Sequence, residues 1–395
     1  MLPLLNGIRI IEIGAVVLGP YAGQMLADLG AEVIKVEPLE GDIARHAHPR
    51  GEGGGALFVN NNRNKRMIAV DLKRPEGRAA LARLIAGADV LFHNMRVDAA
   101  ERLGLGFEAV AEINPRIVHC AAIGFGQRGR YRDRPAFDDI IQAASGIAGL
   151  GAAAGGDPRF VPTILADKVA ALHAVYAILA ALVARAGGRE GPIRVEVPMF
   201  EALAAFLLNE HLAGATFAPD GAVGYPRILS PDRRPFRTAD GWIAVLPYTE
   251  RQWRAFLDEI GRADVAREPW FDDPRERAAH IDALYALVAA SLAERTTGAW
   301  IAALSARDIP CSKVPGLADM LDDPHLEEIG FFDVPADYPE GIVRALPQPV
   351  LFDGIAPRPD TPPRALGADS RALLRESGMA EGEIDALVDA GVIAA

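Results

Sequence analysis

Residues 8–37, IRIIEIGAVVLGPYAGQMLADLGAEVIKVE, carry the clearest signal for the fold of this chain. Residues 8–14 form an apolar run typical of a buried strand, and residues 31–37 predict a second strand. Between them, residues 20–29 predict a helix, because proline lies at the start of this segment and glycine directly after it. Two strands joined by one helix pair in parallel, so this βαβ unit indicates an open α/β sheet.

The alternation of strands and helices continues through the first half of the chain. The further predicted strands are residues 67–72, 89–94, 116–123 and 193–197, and the further predicted helices are 75–88, 137–148, about 166–185, and 200–212. We therefore predict an α/β fold with a large domain, in which helices cover both faces of an open parallel, Rossmann-like sheet.

The pattern changes near residue 218. Residues 236–246 predict a hairpin with its turn at Ala239-Asp240-Gly241, and residues 253–260 and 281–295 predict amphipathic helices. A helical pair follows near the end of the chain, at 370–377 and 381–390. The predicted parts are a large domain at 1–219, a smaller α+β domain at 220–325, and a C-terminal segment at 326–395 that returns to the large domain.

Composition limits the possible partners. Half of the residues are apolar, the net charge is −12, and the sequence contains no large basic cluster, which argues against nucleic acid and anionic membranes. Cys120 and Cys311 show neither metal nor disulfide spacing, as expected in a reducing cytoplasm. The longest apolar run, residues 169–183, is too short to span a bilayer, and the N-terminus lacks the features of a signal peptide. We expect a soluble cytoplasmic protein.

Two kinds of cofactor site receive little support. The turn at residues 14–20, GAVVLGP, lacks the middle glycine of the dinucleotide-binding Gly-x-Gly-x-x-Gly pattern. The histidines show no metal-ligand spacing and are interpreted as surface or core residues; they are His46, His48, His93 and His119. We predict no metal site and no tightly bound cofactor.

Asp167 begins the long apolar helix, in TILADKVAALHAVYAILAAL. It can be a helix cap, or a carboxylate that complements the positive end of the helix. We expect this environment to lower its pKa and keep it ionised. An ionised, positioned carboxylate can also attack a thioester, so both interpretations stay open.

The basic segment at residues 62–66, NRNKR, also has two interpretations. It is either a solvated loop or a site for a phosphorylated ligand near the sheet edge.

Taken together, these segments resemble the class III CoA-transferases (CaiB/BaiF), the group of formyl-CoA transferase and carnitine CoA-transferase. The resemblance runs from LNGIRIIEIGAVVLGPYAGQMLADLGAEVIKVEP through NKRMIAVDLKRPEGR, ADVLFHNMRVDAAERLGLG, INPRIVHCAAIGFGQRG and RPAFDDIIQAASG. It continues through the Asp167 helix and IPCSKVPGLADMLDDPHLEEIGFF to the ending LGADSRALLRESGMAEGEIDALVDAGVI.

The resemblance implies a CoA-transferase that moves coenzyme A from an acyl-CoA to a free carboxylic acid. Asp167 matches the nucleophile, which passes through an acyl-aspartyl anhydride and an aspartyl-CoA thioester. The positions that match CoA or thioester contacts are Val17, Val70, Asp71, Leu72, Lys73, Asn94, Met95, Arg96, Arg102, Leu103, Phe125 and Phe137. The resemblance also implies an interlocked-ring homodimer, with each active site between the large domain of one chain and the small domain of the other.

The sequence departs from the family pattern at three places. Proline stands at position 38, where several relatives have an arginine stacked on adenine, so Arg63 or Lys65 is expected to hold the adenine instead. Val17 stands where formyl-CoA transferase has a glutamine, which argues against an oxalate-like acceptor. The run of four glycines found in the small domain of formyl-CoA transferase has no counterpart between Gly221 and Gly241.

Other functions remain as alternatives. A 2-methylacyl-CoA racemase of the same superfamily needs a second acid/base, and its histidine position holds Phe137 here. An intramolecular CoA-transferring isomerase would use the same nucleophile. A non-catalytic CoA-binding protein would not require Asp167, and a dehydrogenase would require the glycine pattern. A cluster in the small domain would suit a dicarboxylate: Tyr225, Arg227, Arg233, Arg234 and Arg237.

Overall fold

The computed structural model describes residues 2–51, 53–335, 338, 341–358 and 360–395. The chain divides into two compact units. The first contains Met1–Ile147, Phe160–Leu207 and Glu327–Ala395, and the second contains Ala148–Arg159 and Leu208–Leu326. The second unit thus combines two segments, one before the helix predicted at 166–185 and one that contains most of the small domain predicted at 220–325.

The strands of the described residues are β1 Arg9–Ile13, β2 Glu32–Glu37, β3 Arg50–Gly51, β4 Gly54–Gly55, β5 Lys65–Val70, β6 Val90–His93, β7 Val118–Ile123, β8 Ile193–Pro198, β9 Phe236–Arg237, β10 Trp242–Val245, β11 Cys311–Lys313 and β12 Ile393–Ala394.

The helices are α1 Leu18–Asp28, α2 Ala56–Val59, α3 Pro75–Ala86, α4 Val97–Arg102, α5 Phe107–Ile113, α6 Asp138–Ser145, α7 Leu150–Ala153, α8 Ala166–Ala186, α9 Met199–His211, α10 Pro226–Leu229, α11 Glu250–Glu259, α12 Pro274–Ala279, α13 Ile281–Leu292, α14 Thr297–Ser305, α15 Pro324–Glu328, α16 Ser370–Glu376 and α17 Glu381–Asp389. Short 3-10 turns occur at Pro3–Leu5, Ile43–His46, Ile147–Gly149, Ala213–Thr216, Val265–Arg267 and Asp319–Asp322.

The first unit is built on a seven-stranded sheet in the order β12-β5-β2-β1-β6-β7-β8. All neighbouring strands are parallel except β12, which pairs antiparallel with β5. The predicted α/β fold is thus confirmed. Successive strands extend from β1 toward β2 on one side and toward β6 on the other, so the strand order reverses between β1 and β6. In open α/β sheets, ligands bind at the carboxyl ends of the strands at such a reversal.

One face of this sheet packs on an apolar core formed with α3, α16 and α17. Ile11, Ile34 and Ile68 supply the strand side, and Leu84 and Leu374 supply the helix side. On β1, β2 and β5, however, buried charged residues interrupt the apolar pattern. Glu12, Lys35 and Lys65 are fully buried, and the Lys65 ammonium lies 2.7 Å from the Glu12 carboxylate.

Helix α8 packs against β7, β8 and α1 within the first unit. Among the described helices it is the one long and apolar enough to cross a membrane, with a mean hydropathy of 1.9 over the best window. A single helix of this kind is weak evidence for a membrane span, because core helices meet the same criterion.

The second unit has a core of its own. Strands β9 and β10 form the predicted hairpin, with Ile243 paired to Phe236, and β11 extends it on the other side of β10. Large aromatic side chains from α11, α13 and α14 fill the space against this sheet, among them Phe256, Tyr285 and Trp300.

The C-terminal residues pack at the edge of the first unit's sheet. Ile393 pairs with Val70 in the β12–β5 ladder, and the Asp369 carboxylate accepts the backbone N–H of Met67 at 2.9 Å. The sequence pattern did not predict β12, because two residues are too short for a period-2 signal.

Candidate active site

A cavity of about 1140 Å³ opens at the carboxyl ends of the parallel strands, entirely within the first unit. Its walls come from the residues at or just after the ends of β1, β2, β5, β6 and β7, and from the start of α8. Ligand pockets for drug-sized molecules have volumes of roughly 300–1,000 Å³, so this cavity is suited to a larger ligand.

The structure brings most of the predicted site residues to this cavity. Those that line it are Asp167, Val70, Asp71, Leu72, Lys73, Asn94, Met95, Arg96, Leu103, Phe125 and Phe137. Two predicted residues do not line it. Val17 is buried and 1% exposed, and Arg102 points to solvent with a side chain that is 74% exposed and lies 3.4 Å from Asp98.

Asp167 lies in the first turn of α8, where its carboxylate borders the cavity. Leu165, not Asp167, is the N-cap residue. Burial and the nearby Asp138 raise the pKa of Asp167 to about 6, and the backbone N–H of Leu18 partly opposes this increase. The expected lowering of this pKa is therefore wrong, because loss of solvent and a second carboxylate outweigh the favourable helix end.

Asp138, which sequence reasoning did not select, lies beside Asp167. One Asp138 oxygen accepts the backbone N–H of Asp167 at 3.1 Å, and the other accepts the side-chain amide of Gln142 at 2.7 Å. Gln142 is fully buried and also accepts the backbone N–H of Val161 at 2.9 Å. The sequence does show two aspartates, Asp138 and Asp139, at a helix start directly after Phe137. Only the fold shows that Asp138 is the one that contacts α8.

The turn between β1 and α1 forms one wall of the cavity. Asn94 holds it through both ends of its amide: its oxygen accepts the backbone N–H of Ala15, and its nitrogen donates to the Ala15 carbonyl, each at 3.0 Å. The amide of Asn94 thus already has protein partners. Gly14 and Gly19 touch so closely that a Cβ added to Gly14 would lie 2.8 Å from the Gly19 Cα, so this turn requires both glycines.

Basic side chains line the outer part of the cavity. Within the described residues, the side chains of Lys73 and Arg96 have neither an ion-pair nor a hydrogen-bond partner, so both remain available to an anion. Arg132 and Arg134 also line the cavity and were missed, although the segment RGRYRDR places four arginines at alternate positions. Arg134 stacks on Tyr131, with its guanidinium carbon 3.8 Å from the ring centroid.

The two residues expected to hold adenine do not reach the cavity. Arg63 is buried and bonded to Asp28 through two hydrogen bonds of 3.1 and 2.5 Å. Lys65 is buried beside Glu12, and burial lowers its pKa to about 8. Both interpretations of the segment at 62–66, as a solvated loop and as a phosphate site, are therefore wrong, because its charged groups neutralise other buried charges.

The remaining predicted residues are placed as follows. His46 and His48 are exposed, while His93 and His119 are buried edge to face with ring centroids 5.2 Å apart. In the part of the chain that the structure describes, no cluster of histidine, cysteine or acidic residues is placed to bind a metal ion.

Three of the four arginines in the predicted dicarboxylate cluster have side-chain partners within the second unit. Arg227 stacks on Tyr248 and Arg237 on Trp242, and Arg234 lies 3.8 Å from Asp232.

The first unit thus combines an open α/β sheet with a large cavity that is bordered by a carboxylate and by basic side chains. The chain belongs to CoA-transferase family III, whose model matches residues 5–370. It is a class III CoA-transferase.

The chain is 30% identical to a succinate–glutarate CoA-transferase of Agrobacterium fabrum (strain C58 / ATCC 33970) over 387 residues, which cover 95% of this chain and 96% of the relative. It is 31% identical to the succinyl-CoA–L-malate CoA-transferase beta subunit of Chloroflexus aurantiacus (strain ATCC 29366 / DSM 635 / J-10-fl), covering 82% of this chain and 81% of that one. A crystal structure of a CAIB/BAIF family protein from Brucella suis superposes with a TM-score of 0.80 at 28% identity, covering 95% of this chain and 99% of that one.

Proposed function

We propose that this enzyme transfers coenzyme A from an acyl-CoA to a free carboxylic acid, with Asp167 as the covalent nucleophile. The observation that supports this most directly is a partly buried carboxylate at the wall of a cavity large enough for a CoA ester, with no cation beside it among the residues that the structure describes. Its pKa of about 6 leaves it ionised at neutral pH, and its poor solvation favours attack on a carbonyl carbon.

The proposed reaction has four balanced steps. The Asp167 carboxylate attacks the donor thioester carbonyl, which forms an acyl-aspartyl anhydride and releases the CoA thiolate. The thiolate then attacks the Asp167 carbonyl, giving an aspartyl-CoA thioester and the free donor acid. The acceptor carboxylate attacks this thioester, which forms an anhydride between the acceptor and Asp167 and releases the thiolate again. Finally, the thiolate attacks the acceptor carbonyl, which yields the new acyl-CoA and restores the Asp167 carboxylate.

The cavity supports a division of binding roles. Lys73 and Arg96 are placed to bind the phosphates of CoA, since their charges have no protein partner among the described residues. Leu72, Met95 and Leu103 are partly buried apolar side chains on the cavity wall, and they suit the adenine or pantetheine. This apolar wall would replace the stacking arginine of relatives, and Pro38 also lines the cavity.

The thioester end of the site is proposed to lie near Phe125 and Phe137. Phe125 is buried, while Phe137 is 77% exposed and lines the cavity directly before Asp138. We propose an acyl group and an acceptor that are both short dicarboxylates, because the named relatives act on succinate, glutarate and malate. Arg132 and Arg134 supply positive charge at the cavity for the second carboxylate.

We also propose that the enzyme is a cytoplasmic homodimer. Helix α8 carries large apolar side chains that the chain itself leaves exposed: Leu172, Tyr176 and Val183 follow one another at intervals of four and seven residues. A stripe of this kind favours a protein partner, and a second copy of the chain fits the interlocked arrangement that the family resemblance implies. Sedimentation equilibrium of the purified protein would test the predicted dimer.

Trapping with hydroxylamine tests the nucleophile. Wild-type enzyme incubated with succinyl-CoA and hydroxylamine should carry a hydroxamate on the α8 peptide, detected by mass spectrometry, and should lose transfer activity to glutarate or malate. Asp139→Asn is the matched control variant, because it keeps Asp167 and replaces an exposed aspartate one residue from Asp138. If succinyl-CoA and a panel of other acyl-CoA donors all leave Asp167 unmodified, the covalent mechanism is wrong.

Isotope exchange separates transfer from racemisation. A racemase needs titratable groups on both faces of the alpha carbon, and Phe137 cannot carry a proton. Incubated in deuterated water with a 2-methylacyl-CoA and no acceptor acid, the enzyme should incorporate no alpha deuterium. Appreciable exchange, with no new acyl-CoA across a panel of acids, would favour the racemase. Transfer confined to the two ends of one dicarboxylate would indicate the intramolecular isomerase.

A further inference from the structure

The turn between β1 and α1 contains a strained residue. Val16 has a φ of +66°, the left-handed region that side chains branched at Cβ rarely adopt. The Val16 side chain is 38% exposed at the cavity wall, so side-chain packing does not account for this conformation. A conformation of this kind persists only where the surrounding structure enforces it.

A buried carboxylate enforces it. Both oxygens of Asp42 accept the backbone N–H of Val16 at 3.2 Å, and Asp42 is 3% exposed. The Lys35 ammonium, also buried, lies 3.0 Å from Asp42 and donates to the carbonyl of Gly14 at 2.6 Å. Lys35 thus binds both the start of the turn and the carboxylate that fixes its middle.

The end of the same turn meets the proposed nucleophile. Val17 is buried and is the N-cap residue of α1. The backbone N–H of the next residue, Leu18, faces Asp167 and lowers its pKa in part, against the effects of burial and Asp138. Leu18 and Asp167 both line the cavity, and this N–H favours the ionised form of Asp167.

We propose that Asp42, held by Lys35, is a positioning residue for Asp167: it keeps Val16 left-handed so that the N–H of Leu18 faces the Asp167 carboxylate. This inference rests on the proposed function only in taking Asp167 as the reacting group. Without Asp42, the turn relaxes, the Leu18 N–H moves away, and a smaller fraction of Asp167 is ionised at neutral pH.

The charged neighbours of the two carboxylates define the background of the test. Asp167 is faced by Asp138 on α6. Asp42 is faced by Lys35 on β2 and, through Lys35, by Glu12 on β1; its backbone N–H donates to Glu37, which also binds Arg45. Burial alone would raise the pKa of Asp42, but Lys35 and the N–H groups of Ala44 and Val16 bring it below the ordinary value. Asp42 therefore stays ionised throughout the range in which Asp167 titrates.

The test is a carbon-13 NMR titration of aspartate side-chain carboxyls, in which the Asp167 signal is assigned by its loss in Asp167→Asn. Wild-type Asp167 should titrate near pH 6. In Asp42→Asn the midpoint should rise by about one unit, because the ionised form loses a hydrogen-bond donor. Asp369→Asn is the matched control: Asp369 is equally buried, accepts the N–H of Met67 and pairs with Arg364, but it has no contact with the turn.

A second variant tests the strain itself. Glycine adopts positive φ without steric cost, so Val16→Gly added to Asp42→Asn should return the Asp167 midpoint toward the wild-type value. If Asp42→Asn does not fold, Lys35→Met/Asp42→Asn, which removes both charges, is titrated instead with the same expectation. An Asp167 midpoint unchanged by loss of Asp42, or shifted equally in Asp369→Asn, would overturn the proposal. Succinyl-CoA trapping on the same samples tests the nucleophile separately, since the titration requires no substrate.

Discussion

The charges in the core of the sheet and the charges at the cavity are of the same chemical types but differ in their partners. In the core, Arg63 is bonded to Asp28, and Lys65 and Lys35 lie against Glu12. At the cavity, the described part of the chain places no cation beside Asp167 and no side-chain partner beside Lys73 or Arg96. Paired charges can be buried and serve the fold, whereas unpaired charges at a cavity remain available for chemistry and binding.

The largest predicted effect is at the cavity, on replacement of the proposed nucleophile Asp167. Asp167→Asn should reduce CoA transfer by at least about a thousandfold, because removal of a covalent nucleophile costs several orders of magnitude. Free CoA should still bind, since Lys73 and Arg96 are intact. Steady-state transfer assays and calorimetric titration with CoA measure the two effects. Retention of more than a tenth of wild-type turnover would contradict the assignment of Asp167.

The next effect concerns the core charges. Arg63→Met should lower the free energy of unfolding by about 3–5 kcal/mol, because it leaves Asp28 buried without its cation. Urea unfolding measures this loss. The double variant Asp28→Asn/Arg63→Met should recover much of it, because no unpaired charge remains. If Arg63→Met were fully stable but bound CoA poorly, Arg63 would belong to the ligand site after all.

A smaller effect is expected at the cavity cations. Lys73→Ala and Arg96→Ala should each weaken CoA binding by roughly tenfold to a hundredfold, since each removes a charge-assisted contact to a phosphate. Arg102→Ala is the matched control: Arg102 ends α4, whose N-cap residue is Arg96, and it pairs with Asp98 and points to solvent. Calorimetric titration should show Arg102→Ala close to wild type. Equal losses for all three variants would indicate a general charge effect rather than specific contacts.

The smallest predicted effect is the pH dependence of stability. The folded pKa of Asp167, about 6, lies above its ordinary value of 3.8, so the folded state binds this proton more tightly than the unfolded chain. Ionised Asp167 thus destabilises the fold, and this cost develops as the pH rises from about 4 to 6. Asp167→Asn lacks this cost. The free energy of unfolding of the variant minus that of wild type should therefore be roughly 1–2 kcal/mol larger at pH 8 than at pH 4. Urea unfolding of both proteins at both pH values measures this change. A stability difference between variant and wild type that is the same at pH 4 and pH 8 would contradict the raised pKa.

The sequence predicted the repeating strands and helices well, because their apolar periodicity is local. The hairpin at β9 and β10 was also predicted, from its Ala-Asp-Gly turn. The environment of a charged side chain was not predictable in the same way. Arg63 and Lys65 have neighbours that suggest a solvated turn, yet their partners Asp28 and Glu12 lie far away in the sequence and become close only in the folded sheet.

The candidate site shows the same limit. The resemblance located Asp167 and the segments that line the cavity, since these follow strands whose order is fixed. It did not reveal that Asp138 lies beside Asp167, nor that burial reverses the expected pKa shift. It also placed Val17 and Arg102 with the ligand, although one side chain packs in the interior and the other extends into solvent. Side-chain direction at a helix start depends on tertiary packing, which a linear pattern does not contain.

The late return of the chain to the edge of the first unit has a consequence for synthesis on the ribosome. The Asp369 carboxylate and the Met67 N–H that it accepts are 302 residues apart, and the β12 residues that pair with β5 are translated long after β5 itself. Until then, β5 presents an unpaired edge, which is a site for wrong pairing with other chains. The second unit is complete in sequence earlier and has its own core. During synthesis, the second unit can therefore fold before β12 is available to complete the edge of the first unit's sheet.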